Sequence, residues 1–180
     1  MYKHVSLKWA IALAVPVIAA LTLAMAASAS QPVQLTFSAS KDGASAGWSH
    51  GKGSPIDLRL GTSAGSFAEI VLHHLGGFPV NMIPEPQFTT SNYASGSPRY
   101  YITLSNGDTL WGYPPQAGVS SGSTFAWAVN NGNTYESWGD VQQTEGTETV
   151  TGAFVIADAD QAAGTVDHIT GLSFGGGHFN

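Results

Sequence analysis

The chain has 180 residues, 10% of them charged, no cysteine and a formal net charge of −6. The lack of cysteine excludes disulfides, thiolate metal sites, thiol catalysis and lipid attachment through a cysteine thioether. Six Lys and Arg against twelve Asp and Glu argue against nucleic acid or an anionic membrane surface as partners, because both demand a basic face.

The chain opens with Lys3 and Lys8, followed by a run from Trp9 to Ala27 that is apolar except at Pro16 and Thr22. Ala27, Ser28 and Ala29 then supply a small-residue A-x-A site. This pattern predicts a signal peptide over residues 1–29, a mature chain starting at Ser30, and a secreted, extracellular or cell-envelope location. The alternative is a retained anchor, since the run is at the lower limit for spanning a bilayer, and a membrane is a partner only in that case. Loss of Lys3 and Lys8 takes the charge from −6 to −8 and leaves Lys41, Lys52, Arg59 and Arg99 as the fixed cations. Residues 30–180 suit a single domain.

After residue 30 no apolar stripe of helical period runs for three turns, whereas strand signals recur along the chain. Val33–Phe37 alternates apolar and polar residues, and Ile56–Leu60 repeats the pattern. Phe67–His74, Arg99–Leu104, Thr109–Tyr113, Thr124–Val129, Thr147–Ala157 and His168–Phe174 follow, separated by Gly, Pro, Asn and Ser. About eight strands in one domain predict an all-β antiparallel sandwich of jelly-roll type. An outer-membrane barrel needs longer strands with a continuous lipid-facing row, whereas several of these runs are only five or six residues long. The stretch 76–97, rich in proline, reads as a crossover between sheets or a binding loop.

The sharpest local signal is Asn106-Gly107 between two alternating runs, which predicts a β-hairpin from Arg99 to Tyr113. Two registers are open to it. A two-residue loop pairs Ser105 with Asp108 and sets Trp111 beside Ile102, in the core. A three-residue loop with a G1 bulge pairs Leu104 with Asp108 and sets Trp111 opposite Tyr101. The second register separates Ile102, Leu104 and Leu110 from a stripe of Arg99, Tyr101, Thr103, Trp111 and Tyr113. Such a row of rings suits stacking on the apolar faces of sugars, with neighbouring polar groups for their hydroxyls.

Trp127, between Phe125 and Val129, has the spacing of a core strand. Tyr135 and Trp138 fall in a polar, Gly-containing stretch that reads as a loop, so both are candidate ligand contacts. Asp158, Asp160 and Asp167 flank the turn between the last two strands and offer oxygens to Ca²⁺, although a solvated acidic turn explains them as well. His73 and His74 are adjacent, so in a strand they point to opposite faces, and no H-E-x-x-H or H-x-H motif accompanies them. No catalytic set stands out. If the chain were a glycosidase, Glu69 and Glu136 would be its carboxylate pair.

The run from Ala153 to Asp160, followed by Gly164 to Phe174 with its Asp167-His168-Ile169 step, resembles the last two strands of jelly-roll carbohydrate-binding modules. The runs from Gly96 to Tyr101 and from Leu110 to Pro114 are similar to small exported bacterial proteins of unassigned function. The first resemblance covers about 22 residues and implies the sandwich fold more than any ligand. Residues and resemblance together predict an exported, non-catalytic protein that binds a polysaccharide or glycan through Arg99, Tyr101, Trp111, Tyr113, Tyr135 and Trp138. The rival expectation is a structural envelope or matrix protein that self-assembles as a homo-oligomer through sheet edges.

Overall fold

Eleven strands occur among the residues that the computed structural model describes, which are 33–75, 77–91, 98–115, 125–158 and 164–179. Residues 1–29, expected from the sequence to be a signal segment, and Asp160 lie outside them. In chain order the strands are β1 (Gln34–Ala39), β2 (Ser45–Trp48), β3 (Ile56–Arg59), β4 (Phe67–His73), β5 (Gln87–Thr90), β6 (Arg99–Leu104), β7 (Thr109–Tyr113), β8 (Ala126–Val129), β9 (Val150–Asp158), β10 (Val166–Phe174) and β11 (Gly177–His178). A 3₁₀ turn (Val80–Met82) and one helix, α1 (Trp138–Thr144), interrupt them.

The strands form two antiparallel sheets. The large sheet runs β1-β4-β9-β6-β7-β8, and the small sheet runs β2-β3-β10-β11 with β5 also paired to β10. The central strands of the large sheet turn alternate residues inward: Ala68, Ile70 and Leu72 from β4, Tyr100, Ile102 and Leu104 from β6, Ala153, Val155 and Ala157 from β9. Ile56, Leu58, Phe88, Ile169, Leu172 and Phe174 of the small sheet join them in one core. Period-two burial on facing sheets is the pattern of a sandwich. Eleven strands replace the expected eight. All eight predicted runs are strands, and β2, β5 and β11 are additional.

Aromatic rings fill the middle of this core. Tyr100 lies 5.3 Å from Phe88 and 6.3 Å from Phe174 across the sheets. Its hydroxyl stands 2.7 Å from the Ser173 carbonyl and 3.2 Å from that of Gln87, beside the register shift between β5 and β10. Full burial raises the Tyr100 phenol well above its usual pKa, so it stays a donor. Trp127 is buried, as its spacing predicts, and its indole fills the inward position of Gly112 on the neighbouring strand.

The described part of the proline-rich stretch is held down around residues 80–83. Val80 N–H bonds Glu148 O at 2.9 Å, and Ile83 O accepts from Trp138 Nε1 at 2.9 Å and from Gln142 Nε2 at 3.0 Å. Helix α1 starts at a capping box in which the Ser137 hydroxyl accepts from Asp140 N–H and the Asp140 carboxylate accepts from Ser137 N–H. Its buried residues, Trp138 and Val141, face the core.

Candidate functional site

The hairpin between β6 and β7 settles which side Trp111 faces. Leu104 N–H bonds Asp108 O at 2.9 Å, Gly107 N–H bonds Leu104 O at 3.1 Å, and Gly107 has φ +93°. Those are the marks of a three-residue loop with its glycine in the left-handed region. Asn106 Oδ1 braces the turn by accepting from Asp108 N–H at 2.9 Å. Tyr101 therefore pairs with Trp111 and Ile102 with Leu110. The aliphatic residues point into the core, and Arg99, Tyr101, Thr103, Trp111 and Tyr113 stand half-buried on the outer face of the large sheet.

The ladders extend this stripe into a row across the strands. Val71 pairs with Phe154, Phe154 with Tyr101, Tyr101 with Trp111, and Trp111 with Ala128. Ring centroids are 5.9 Å apart between Phe154 and Tyr101 and 4.7 Å between Tyr101 and Trp111. Polar groups border the row on both sides. Thr103 Oγ1 and Thr151 Oγ1 meet at 2.9 Å on one side, and on the other the Tyr113 hydroxyl donates to Asn131 Oδ1 at 3.2 Å. Burial raises the Tyr113 phenol above its usual pKa, the nearby Arg99 charge opposing this in part. Tyr113 is accordingly neutral at physiological pH. Tyr135, 61% exposed, meets Tyr113 edge-on at 5.7 Å and continues the aromatic surface past the sheet.

Arg99 lies over the Trp111 ring, its guanidinium carbon 5.2 Å from the centroid, and forms an ion pair with Asp158. The Arg99 side chain is 12% exposed. Its charge is thus already met by a carboxylate and a ring face.

Five of the six predicted contact residues share this region: Arg99, Tyr101, Trp111, Tyr113 and Tyr135. Trp138 does not. It sits in the first turn of α1, 6% exposed, with its ring 4.6 Å from that of Trp127. A segment that reads as a polar loop forms a capped helix, and helical geometry turns this side chain inward. Phe154 is the ring that the sequence reading missed. Its signal is the phase of β9, where the buried Ala153, Val155 and Ala157 leave Phe154 and Ile156 on the opposite face.

Two of the three candidate Ca²⁺ carboxylates lie among the described residues. Asp158 is engaged by Arg99, Asp167 is fully buried on the inward side of β10 with Ile169, and Asp160 lies outside the described residues. Among the described residues no group of three His, Asp or Glu side chains is placed to hold a metal ion. Glu69 and Glu136 are also apart. Glu69 is on β4, and Glu136 bridges to Trp127 beyond the edge of β8. Four strands intervene, on the order of 24 Å at about 4.8 Å per strand, too far for a glycosidase pair.

No known family model matches the chain, and no curated protein or solved structure is detectably similar to it.

Proposed function

We propose that this protein is an exported, non-catalytic carbohydrate-binding β-sandwich of jelly-roll type, which holds a polysaccharide on the outer face of its large sheet. The observation that carries the reading is the row of Phe154, Tyr101 and Trp111 on one face of a rigid sheet, edged by hydroxyls. Rings on a braced scaffold stack on sugar faces with little ordering cost, and flanking hydroxyls give direction to the contact. The strand order β3-β10-β5 beside β4-β9-β6-β7 supports the jelly-roll form, with β8 continuing the large sheet from β7 instead of pairing with β5.

The test is retention of residues 30–180 on a panel of insoluble polysaccharides, with supernatants assayed for released sugar. Retention without release is expected. Trp111→Ala removes the end ring of the row and should abolish retention, while costing only about 1 kcal/mol of stability as a lost cross-strand pair. Loss of retention accompanied by collapse of the fold would mean that Trp111 is structural.

A second reading, assembly into an envelope or matrix layer, draws on the edge strand β1. Its six residues are uncharged, lack proline and pair with β4 without a bulge, so the usual guards against edge pairing are missing. Leu35, Phe37, Ala46 and Trp48 are only partly buried along this side of the sandwich. Concentration-dependent sedimentation without any glycan would favour it.

A further inference from the structure

The β4–β9 ladder ends at the Leu72–Ala153 pair, and β9 shifts register against β6 between Thr103 and Leu104. Beyond that point lies an open cavity of about 470 Å³, with His73, His74, Thr149 and Thr151 in its walls. Val150 N–H is drawn to Phe78 O at 3.1 Å. His74 has φ +60°, an uncommon conformation for a residue with a side chain.

This cavity adjoins the aromatic row. His73 follows Val71 on the outward side of β4, and Gly152 pairs with Thr103. A Cβ on Gly152 would stand 2.9 Å from Thr103 Oγ1 and 3.3 Å from Phe154 Cε2. The Phe154 ring therefore lies close to Gly152, which has no side chain to wall off the cavity from the last ring of the row.

We propose that the cavity is the end subsite for a neutral glycan chain, which lies across the strands over Trp111, Tyr101 and Phe154 and sends its terminal sugar between His73 and Thr151. The proposal rests on the carbohydrate reading above and adds chain direction, a terminal contact and a ligand class. The volume falls in the range of small-molecule sites, and imidazoles and hydroxyls both give and accept hydrogen bonds, as sugar hydroxyls require. Thr36 Oγ1 holds His73 Nε2 at 2.6 Å and orients the ring. Thr151 Oγ1 donates to Thr103 O at 3.1 Å and meets Thr103 Oγ1 at 2.9 Å, which leaves it one lone pair able to accept. Neutrality follows from Arg99, the one cation on this face among the described residues, because Asp158 already neutralises it.

The test is calorimetric titration of residues 30–180 with neutral gluco- and xylo-oligosaccharides, from disaccharide to hexasaccharide, and with galacturonic-acid oligomers of the same lengths. Thr151→Val, His73→Ala and Trp111→Ala are titrated alongside, each after its thermal unfolding has been measured. Trp111→Ala should lose every neutral oligomer. Thr151→Val and His73→Ala should each weaken the hexasaccharide about fivefold, as for one lost hydrogen bond, and His73→Ala, away from the row, should leave the disaccharide unchanged. If both cavity variants bind the hexasaccharide like the parent while Trp111→Ala does not, the end subsite is overturned and the aromatic face stands. Equal binding of galacturonic-acid oligomers would overturn the neutral class. If no oligomer and no polymer binds the parent, the carbohydrate reading falls, and the subsite with it.

Discussion

Gly112 has no room for a side chain. A Cβ there would stand 2.6 Å from Cη2 and Cζ3 of Trp127, whose indole is locked from the other side by Trp138 and by a bond from its Nε1 to Glu85 Oε1 at 3.1 Å. Gly112→Ala should therefore cost about 1–3 kcal/mol, the usual penalty of overpacking. A thermal melt that matches the parent would show that the Trp127 ring moves freely. Asp42 is a different kind of residue, since its role is electrostatic. Its carboxylate accepts from Ser40 Oγ at 2.5 Å and from the hydroxyl and N–H of Ser63 at 2.5 and 2.9 Å. The bond from Ser40, followed by those from Ser63, holds its pKa well below the ordinary 3.8. A pKa depressed by folding adds stability that is fully present above pH 3.8 and is lost as the pH falls through the lower folded value. Asp140, lowered by its bonds from Ser137, acts in the same direction. Stability should then decline in acid below about pH 4, and Asp42→Asn should flatten that decline, as followed by chemical unfolding at stepped pH.

Within the hairpin, neighbouring residues have opposite fates. Leu110 is fully buried and Trp111 half-buried one position later, solely because Gly107 takes a left-handed turn. Leu110→Ala should cost about 2–5 kcal/mol, whereas Trp111→Ala costs about 1 kcal/mol; the reverse order in a melting series would mean that the register is the two-residue one. The hairpin was readable because Asn-Gly between alternating runs has few conformational solutions, and the choice between its two registers came down to one hydrogen-bonded loop. Other elements left weaker traces. In β2, Ser45, Ala46 and Gly47 have little intrinsic strand preference, and pairing with β3 makes the strand. β5 follows Pro84 and Pro86, which mask a run of Gln, Phe and Thr. Helix α1 has seven residues, too few to display a periodic stripe. Its one sequence mark is Ser137 three positions before Asp140. Missing that cap is what put Trp138 on a loop.

At the scale of the whole molecule, charge bears on which polymers the proposed binding face would hold. Lys41 and Lys52 are exposed in turns, and Arg59 is exposed on β3 of the small sheet. Arg99, on the large sheet, is already paired with Asp158. The aromatic face therefore has no spare positive charge for a sulfated or uronic-acid polymer, and the acidic balance of the chain as a whole repels one. What the face offers is apolar ring surface with hydroxyls at its margins, and contacts of that kind carry little screenable energy. Retention on a neutral polysaccharide should consequently hold constant as salt is raised from about 0.05 to 1 M, a range in which the Debye length shrinks from over 10 Å to about 3 Å. Excluded salts such as sulfate should strengthen it slightly, because they favour burial of apolar surface. A steep fall in retention over the same range would mean that ion contacts hold the polymer, and the row of Phe154, Tyr101 and Trp111 would then be a packing feature of the sheet rather than its working face.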